Sequence, residues 1–329
     1  MGNTGANPSR LLIAFFSVAV LQACGDDDRR PADAGPPPDA AATDATTGDA
    51  EPGTDGSSPA SGYRSLSAGS RHVCAVAIDT NTVECWGEDE EGSITMVTTE
   101  PVDLVRAGSG TTCVVTQSDS TIRCWGSDGQ RIVSEAPEFA VVAELELNDE
   151  DACAIRESDS TLLCWGIEIF EDAPTFPVDD ISISSSGEAC AIRSSDGNLH
   201  CWDTGTNSPA VTEAPTGVEF SMVSTVSDFA CGLRAADGEV MCWGFADSPA
   251  VADLPVGLRL SAVDARTESV CGIRADDDTP FCWGSDDFGA IVSTAPSTPM
   301  AEISLGNGYG CGIRLSDRGI ECWGEFAPL

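Results

Sequence analysis

The amino-acid sequence predicts an all-β protein, a seven-bladed β-propeller with one disulfide inside the hairpin of each blade. Three observations lead to this prediction. Fourteen of the 15 cysteines form seven pairs with a separation of 11, each second cysteine is followed by one of the seven tryptophans, and the first cysteines recur every 37 to 41 residues. Strand-rich repeats of about 40 residues match the size of four-stranded propeller blades. A different propeller or an open β-solenoid is the alternative.

Each cysteine pair is predicted to close one hairpin. Around such pairs the residues alternate with the period of two that strands show, and an aspartate typical of turns lies near the midpoint in six repeats. In a hairpin with an even-length loop, residues n and n+11 face each other at a Cα distance of about 4.5 to 5.5 Å, which a disulfide can span. The pairs are Cys74 and Cys85, Cys113 and Cys124, Cys153 and Cys164, Cys190 and Cys201, Cys231 and Cys242, Cys271 and Cys282, and Cys311 and Cys322.

Zinc binding explains these cysteines poorly. Tetrahedral zinc sites use closely spaced cysteine or histidine pairs, whereas this sequence has no C-x-x-C motif and only two histidines, His72 and His200, in different repeats. Disulfides form in oxidising compartments outside the cytosol. The cysteine pattern therefore favours an exported protein.

The N-terminus agrees with export. Residues 1–23 are predicted to be a lipoprotein signal peptide, because a polar head with one positive charge precedes the apolar run Leu11–Leu21, which is too short to cross a bilayer. The run ends in Leu21-Gln22-Ala23-Cys24, which resembles the lipobox of bacterial lipoproteins. Cys24 is therefore the predicted lipid attachment site, and an ordinary signal peptide cleaved nearby is the alternative.

Two further segments follow the signal peptide. Residues 24–61 are rich in Pro, Ala, Asp and Thr, a composition that cannot bury enough apolar surface to fold, so a disordered acidic linker carrying the lipid is predicted. Residues 62–329 contain all seven repeats and are predicted to form the propeller. We therefore expect a bacterial envelope protein at the outer membrane, held there by lipid only; whether it faces the periplasm or the exterior stays open.

Composition limits the class of partner. The chain has 54 acidic and 16 basic residues, a formal charge of -38, which repels nucleic acid and favours a protein partner with a basic surface. The acidic clusters at 88–91 and 276–278 lack the residue order of calcium loops. We therefore expect them to form a solvated acidic rim rather than a calcium site. We expect neither a cofactor nor a metal, and we expect the protein to be a monomer.

No catalytic constellation is apparent. The two histidines are in different repeats, no G-x-S-x-G motif occurs, and pairing or lipidation accounts for every cysteine. We therefore expect no enzymatic activity. An envelope hydrolase with an unrecognised site on the propeller face is the alternative.

Several packing features are predicted as well. The tryptophans should pack between neighbouring blades, and residues near Tyr63–Ala68 should share a blade with the C-terminal hairpin, so that the ring closes without a free edge. Five arginines stand three residues after a first cysteine and should pair with the aspartate of the turn. They are Arg156, Arg193, Arg234, Arg274 and Arg314.

A binding face is predicted at the end of the blades opposite the aspartate turns. The start of the first hairpin strand and the end of the second meet there. Two residues before each first cysteine the sequence varies, and the segments after the tryptophans vary too, with aromatic residues beside carboxylates, a composition typical of protein interfaces. The candidate residues are Phe229, Tyr309, Phe288, Phe245, Phe170, Asp286 and Asp287. The alternative is that these aromatic side chains fold inward.

The cysteine and tryptophan frame resembles repeats of the regulator of chromosome condensation (RCC1) family, with residues 68–76 followed by 83–87 fitting best. The resemblance covers the whole folded part and implies a seven-bladed propeller. This chain departs from the family in its cysteines and in Asp203, which follows Trp202 where glycine is usual. The guanine-nucleotide exchange activity of the founding member is not expected in an acidic envelope protein. The resemblance to secreted bacterial members implies a propeller that binds or inhibits another extracellular protein.

Overall fold

The structure, a computed structural model, describes residues 61–89, 92–95, 98–128, 131–166 and 172–327. These residues form seven antiparallel sheets of three strands each, in which the order along the chain is also the order in space. The predicted signal peptide, Cys24, most of the predicted linker and Phe170 lie outside the described residues. No helix in the described ranges has the length and hydrophobicity needed to cross a membrane.

The first strands of the seven blades are β1 (Tyr63–Ala68), β4 (Val102–Ala107), β7 (Val142–Leu147), β10 (Val178–Ile183), β13 (Phe220–Thr225), β16 (Leu260–Arg266) and β19 (Met300–Gly306). The second strands are β2 (His72–Ala77), β5 (Thr111–Thr116), β8 (Asp151–Arg156), β11 (Glu188–Arg193), β14 (Phe229–Arg234), β17 (Ser269–Arg274) and β20 (Tyr309–Arg314). The third strands are β3 (Val83–Gly87), β6 (Ile122–Gly126), β9 (Leu162–Gly166), β12 (Leu199–Asp203), β15 (Val240–Gly244), β18 (Pro280–Gly284) and β21 (Ile320–Gly324).

The predicted hairpin disulfides are confirmed, one in every blade. The two cysteines of a pair are direct partners in the register of the second and third strands, as Cys190 and Cys201 show. Their Cα atoms lie 4.0 to 4.1 Å apart in all seven bridges. This is close to the spacing of a directly opposed, non-hydrogen-bonded pair in an antiparallel ladder. The spacing of 11 in the sequence therefore reports strand register.

The prediction of four strands per blade is wrong, because the described sheets have three. The segments between a third strand and the next first strand form turns, and in two of them a single helical turn: α1 (Pro209–Thr212) and α2 (Pro249–Ala252). Each short helix begins with proline, whose fixed φ suits the first helical position and whose missing N–H group does not suit a strand. A fourth strand is therefore replaced by these turns.

The seven blades form a closed ring. First strands of successive blades contact one another in order, and β1 contacts both β4 and β19. The expectation that Tyr63–Ala68 shares a blade with the C-terminal hairpin is wrong, because β1 pairs with β2 of its own blade. Closure uses contacts between complete blades instead: the Tyr63 N–H donates to the Arg318 carbonyl at 2.8 Å, and the Ala68 N–H donates to the Ser304 hydroxyl at 3.0 Å.

The expected roles of tryptophan and arginine are largely confirmed. Trp125 packs with side chains of the first and second blades, and Trp243 donates its indole N–H to the carbonyl of Ala210 in the preceding connection, at 2.8 Å. Three of the five arginines pair with the turn aspartate at 2.6 to 3.2 Å; these pairs are Arg193 with Asp196, Arg234 with Asp237, and Arg314 with Asp317. Arg274 instead lies 4.2 Å from the ring centroid of Phe281.

Candidate binding face

The ring has two chemically different faces. We call the upper face the end that carries the turns between first and second strands and the residues following each third strand. The lower face carries the turns between second and third strands. Because all seven blades have the same strand order, each feature recurs seven times around one end of the ring. Differences between repeats at one end are therefore side-chain differences on a common backbone frame.

Three phenylalanines project from the upper face in blades 5, 6 and 7. Phe245, Phe288 and Phe326 are 51%, 47% and 65% exposed, and each follows the tryptophan and glycine that end a third strand. Phe245 and Phe288 were predicted to lie on the binding face, and Phe326 was not. Phe326 follows the last tryptophan of the sequence, and no further repeat follows it for comparison. Asp286 and Asp287 are exposed beside Phe288.

Phe288 and Phe326 are close to each other across the boundary between blades 6 and 7. The Glu325 N–H donates to the Gly289 carbonyl at 2.7 Å, which joins the two outgoing segments. Gly308 has a positive φ of 81°, and a Cβ atom at this position would overlap the ring of Phe326. Glycine is needed here both for the backbone conformation and for the close approach of the ring.

Phe229 and Tyr309 are not on the exposed face, which corrects the prediction. Both are at most 1% exposed. They stand two residues before a cysteine on the same strand, so their side chains share its inward direction and enter the packing between blades. The Tyr309 hydroxyl donates to the carbonyl oxygens of Gly69 or His72, at 2.9 and 2.8 Å, and thereby links blade 7 to blade 1. The variable position reflects interblade packing.

A cleft of about 790 Å³ opens on the upper face between blades 7 and 1. Its lining residues are Ser70, Arg71, Gly87, Glu88, Asn307, Phe326 and Ala327. Arg71 and Glu88 form an ion pair of 2.9 Å, and both side chains are at least 60% exposed. The exposed ring of Phe326 supplies an apolar wall. The cleft thus combines apolar surface, small residues and charged groups.

The upper face is strongly acidic around blades 5, 6, 7 and 1. Eight exposed carboxylates lie there, in the turns between first and second strands or directly after a third strand: Asp228, Asp247, Glu268, Asp286, Asp287, Glu325, Glu88 and Asp89. Among the described residues of this region, the exposed basic residue is Arg71, and its charge is balanced by the ion pair with Glu88. We call these eight carboxylates, together with Phe245, Phe288 and Phe326, the acidic aromatic arc.

The centre of the ring holds a second group of polar residues, which the sequence analysis missed. The first strands contact one another around the ring, and the positions paired with each first cysteine lie buried on these strands. These positions are Ser67, Arg106, Glu146, Ser182, Ser224, Asp264 and Ser304. Several accept a hydrogen bond from a backbone N–H of the next blade; examples are Ser67 from Ala107 at 2.9 Å and Asp264 from Leu305 at 2.7 Å.

Two residues earlier on the same strands lies a further ring with three carboxylates, Glu144, Asp180 and Glu302. Asp180 accepts from the Val223 N–H at 2.8 Å, and Glu302 accepts from the Leu66 N–H at 2.8 Å. Burial raises the pKa of Asp180 and of Glu302 to about 7 in each case. These side chains satisfy amide groups that would otherwise form an unpaired sheet edge.

The two histidines lie far from catalytic geometry with each other, in blades 1 and 4. His72 is fully buried, its Nε2 lies 3.0 Å from the Thr112 hydroxyl oxygen, and burial lowers its pKa to about 4. His200 is partly exposed and packs against Phe176 and Trp202. Within the described ranges no group of three His, Cys, Asp or Glu side chains is arranged to hold a metal ion.

Comparisons with known proteins identify the fold. No family model and no curated protein matches the sequence. Among solved structures, the ectodomain of the receptor kinase CR4 of Physcomitrella patens aligns with a TM-score of 0.67 and 24% identity over 80% of this chain and 73% of that one. The CRINKLY WD40 ectodomain of the Arabidopsis thaliana receptor kinase ACR4 gives 0.67 and 22%, over 81% and 96%.

Prp20p of Saccharomyces cerevisiae, the yeast RCC1, aligns with a TM-score of 0.58 and 16% identity over 78% of this chain and 83% of that one. At these identities the matches describe the backbone and not the side chains of the upper face. The chain therefore has an RCC1-like, seven-bladed β-propeller fold.

Proposed function

We propose that this chain is a lipid-anchored protein of the bacterial cell envelope whose propeller binds another protein through the acidic aromatic arc. The observation that supports this most directly is the exposure of Phe245, Phe288 and Phe326 in three consecutive blades. Aromatic residues are enriched at protein interfaces, where they supply most of the binding free energy, and their clustering on a water-exposed surface is otherwise unfavourable.

The related folds agree with a binding role. The two plant matches are ectodomains of receptor kinases, and the yeast protein is described by its binding to Gsp1p and histones. We carry over from them only the use of a propeller as a binding module. The partner of this chain has to be an extracytoplasmic protein, because the lipobox-like sequence and the disulfides both favour export.

The upper face is tested by capture of a partner from envelope extract with the purified propeller. We expect the triple variant Phe245→Ser, Phe288→Ser and Phe326→Ser to lose the partner that the unchanged protein retains, because truncating interface aromatics typically costs about 1 kcal/mol or more each. Phe139, 90% exposed at the lower face beside the start of β7, is the matched control. If Phe139→Ser abolishes capture and the triple variant does not, the upper face is not the binding face.

The anchor is tested at Cys24. We expect Cys24→Ser to abolish metabolic labelling with a radioactive fatty acid and to release the protein from the membrane fraction, because stable anchoring needs more than one acyl chain on this residue. A labelled Cys24→Ser variant would refute the lipoprotein assignment. Protease treatment of intact cells then separates a periplasmic from an external location.

A further inference from the structure

We propose that the acidic aromatic arc recognises a cationic, extended polypeptide segment that places one bulky apolar side chain in the cleft between blades 7 and 1. This inference rests on the proposed function and specifies the chemistry of the partner. It is carried by the volume and lining of the cleft, by the charge of the surrounding carboxylates, and by the contrast between the two faces of the ring.

The cleft fits an apolar side chain of the partner. Its volume of about 790 Å³ exceeds that of any single side chain, and the exposed Phe326 ring forms one wall. Small residues, Ser70 and Gly87, leave the remaining surface open to a chain passing over it. A large side chain packed against Phe326 would bury apolar surface of both partners, and Arg71 and Glu88 would form the polar rim around it.

The charge around the cleft selects a basic partner. In blades 5, 6, 7 and 1 the arc presents eight exposed carboxylates, and Arg71, the exposed base of this region among the described residues, is already paired with Glu88 at 2.9 Å. Apart from Glu88, the arc carboxylates form no ion pair with an arginine of the described residues, so they are open to lysine or arginine side chains of a partner. An acidic segment would be repelled, since like charges at an interface cost several kcal/mol.

The lower face of the same four blades offers no such complementarity. It carries six arginines, which are Arg64, Arg234, Arg259, Arg274, Arg314 and Arg318. Two of them pair with turn aspartates, Arg234 with Asp237 at 2.6 Å and Arg314 with Asp317 at 3.0 Å. Part of the acidic charge on this face is therefore already balanced by arginines. The uncompensated negative charge is concentrated where the phenylalanines are exposed.

The length of the arc favours an extended segment. Phe245, Phe288 and Phe326 follow equivalent third strands of three consecutive blades, and the cleft continues the series to blade 1. A compact cation would contact one of these positions only, whereas an extended chain can reach several. Alternating basic and apolar side chains along such a chain would match the alternation of carboxylates and rings in the arc.

The test uses the full propeller and a fluorescein-labelled synthetic peptide in which one tryptophan is flanked by lysines, with binding measured by fluorescence anisotropy. We expect saturable binding that weakens as salt is added, because exposed charges are screened. Phe326→Ser, and separately the pair Asp287→Asn with Glu325→Gln, should each weaken binding about tenfold. A peptide with glutamate in place of lysine should not bind. A peptide with alanine in place of tryptophan should bind the unchanged propeller about as weakly as the tryptophan peptide binds the Phe326→Ser variant.

Matched changes at the lower face separate specific binding from attraction to a protein of charge -38. Phe139→Ser and Asp276→Asn alter an exposed ring and an exposed carboxylate there and should leave the affinity unchanged. The inference is overturned if the lysine peptide does not bind, or if the lower-face changes weaken it equally. Capture of a natural partner from envelope extract separates the two proposals. If capture requires the three phenylalanines but not Asp287 and Glu325, the proposed function stands and the cationic partner is refuted.

Discussion

At the scale of single residues, a position whose residue type varies between repeats is not necessarily exposed to solvent. The position two before each first cysteine differs in every repeat, yet Phe229 and Tyr309 are buried there. Each of these side chains fits the neighbouring blade that it contacts, and neighbouring blades differ. Phe326, in contrast, is exposed although the sequence offers no repeat position with which to compare it. Exposure was decided by packing between blades.

Glu146 illustrates a residue whose charge opposes folding. Its side chain is 1% exposed, its Oε1 has no hydrogen-bond partner among the described atoms, and burial raises its pKa well above the usual range. Serine at the equivalent position of four other blades shows that the blade contact needs no charge there.

We therefore expect Glu146→Gln to stabilise the protein at pH 8. The amide keeps the shape and removes a buried charge, so the free energy of unfolding should rise by about 1 to 3 kcal/mol. Below pH 4, where the carboxyl is protonated in both states, the difference should vanish. Urea denaturation at the two pH values measures it, with the exposed Glu325→Gln as the control. A loss of stability at pH 8 would show that the charge is needed.

At the scale of elements, the hairpin is the unit that the sequence specifies most fully. The turn aspartates accept hydrogen bonds from the backbone N–H two residues later, as Asp159 does from Thr161 at 3.0 Å and Asp317 from Gly319 at 2.9 Å. The Thr161 hydroxyl lowers the pKa of Asp159 and the Arg314 guanidinium lowers the pKa of Asp317, and these backbone bonds add to both effects. Turn, register and disulfide thus agree with one another in the six blades that carry the turn aspartate, which is the consistency expected of a sequence that specifies one structure.

The disulfides should be local and individually dispensable. We expect non-reducing peptide mapping to find seven bridges, each within one blade. The double variant Cys231→Ala and Cys242→Ala should fold but lose about 2 to 3 kcal/mol of unfolding free energy, because a short loop is no longer constrained in the unfolded chain. Thermal unfolding with and without reductant provides the comparison. Any reproducible bridge between two blades would contradict the hairpin assignment.

The first strands show how elements are joined into a ring. Each first strand is an edge strand of its sheet, so the N–H groups on its outer side have no neighbouring strand to which they can donate. Side chains of the preceding blade satisfy them, for example Ser182 for Thr225 at 2.9 Å and Ser224 for Ala265 at 3.0 Å. Hydrogen bonds from side chain to backbone therefore replace a shared strand as the means of closure.

At the scale of the whole molecule, the buried carboxyl groups give stability a defined pH dependence. Burial raises the pKa of Asp180, Glu188 and Glu302 to about 7 and that of Asp149 to about 6. A group with a raised pKa binds its proton more tightly in the folded state, so its contribution is present at low pH and is lost as the pH rises through that value. His72, with its pKa lowered to about 4, acts in the opposite direction.

We expect the melting temperature to be highest near pH 4 to 5 and to fall toward pH 8, because these four carboxyl groups and Glu146 together outweigh one buried histidine. Each kcal/mol should change the melting temperature by roughly 2 to 4 °C for a domain of this size. Scanning calorimetry across this range measures the slope. The double variant Asp180→Asn and Glu302→Gln should flatten it, and an unchanged slope would show that other groups control the titration.

The sequence by itself determined the hairpins, their disulfides, the number of blades and the acidic charge, because these depend on local spacing and composition. It also placed Phe245 and Phe288 at the correct end of the blades. The tertiary structure alone decided that the described sheets have three strands, that β1 remains in its own blade, that Phe229 and Tyr309 are buried, and that Asp180 and Glu302 bond to the backbone of the next blade. These features arise from contacts between blades, which join residues about 40 positions apart or, at the closure, more than 230. A spacing rule within one repeat carries no information about which side of a strand the next blade will cover.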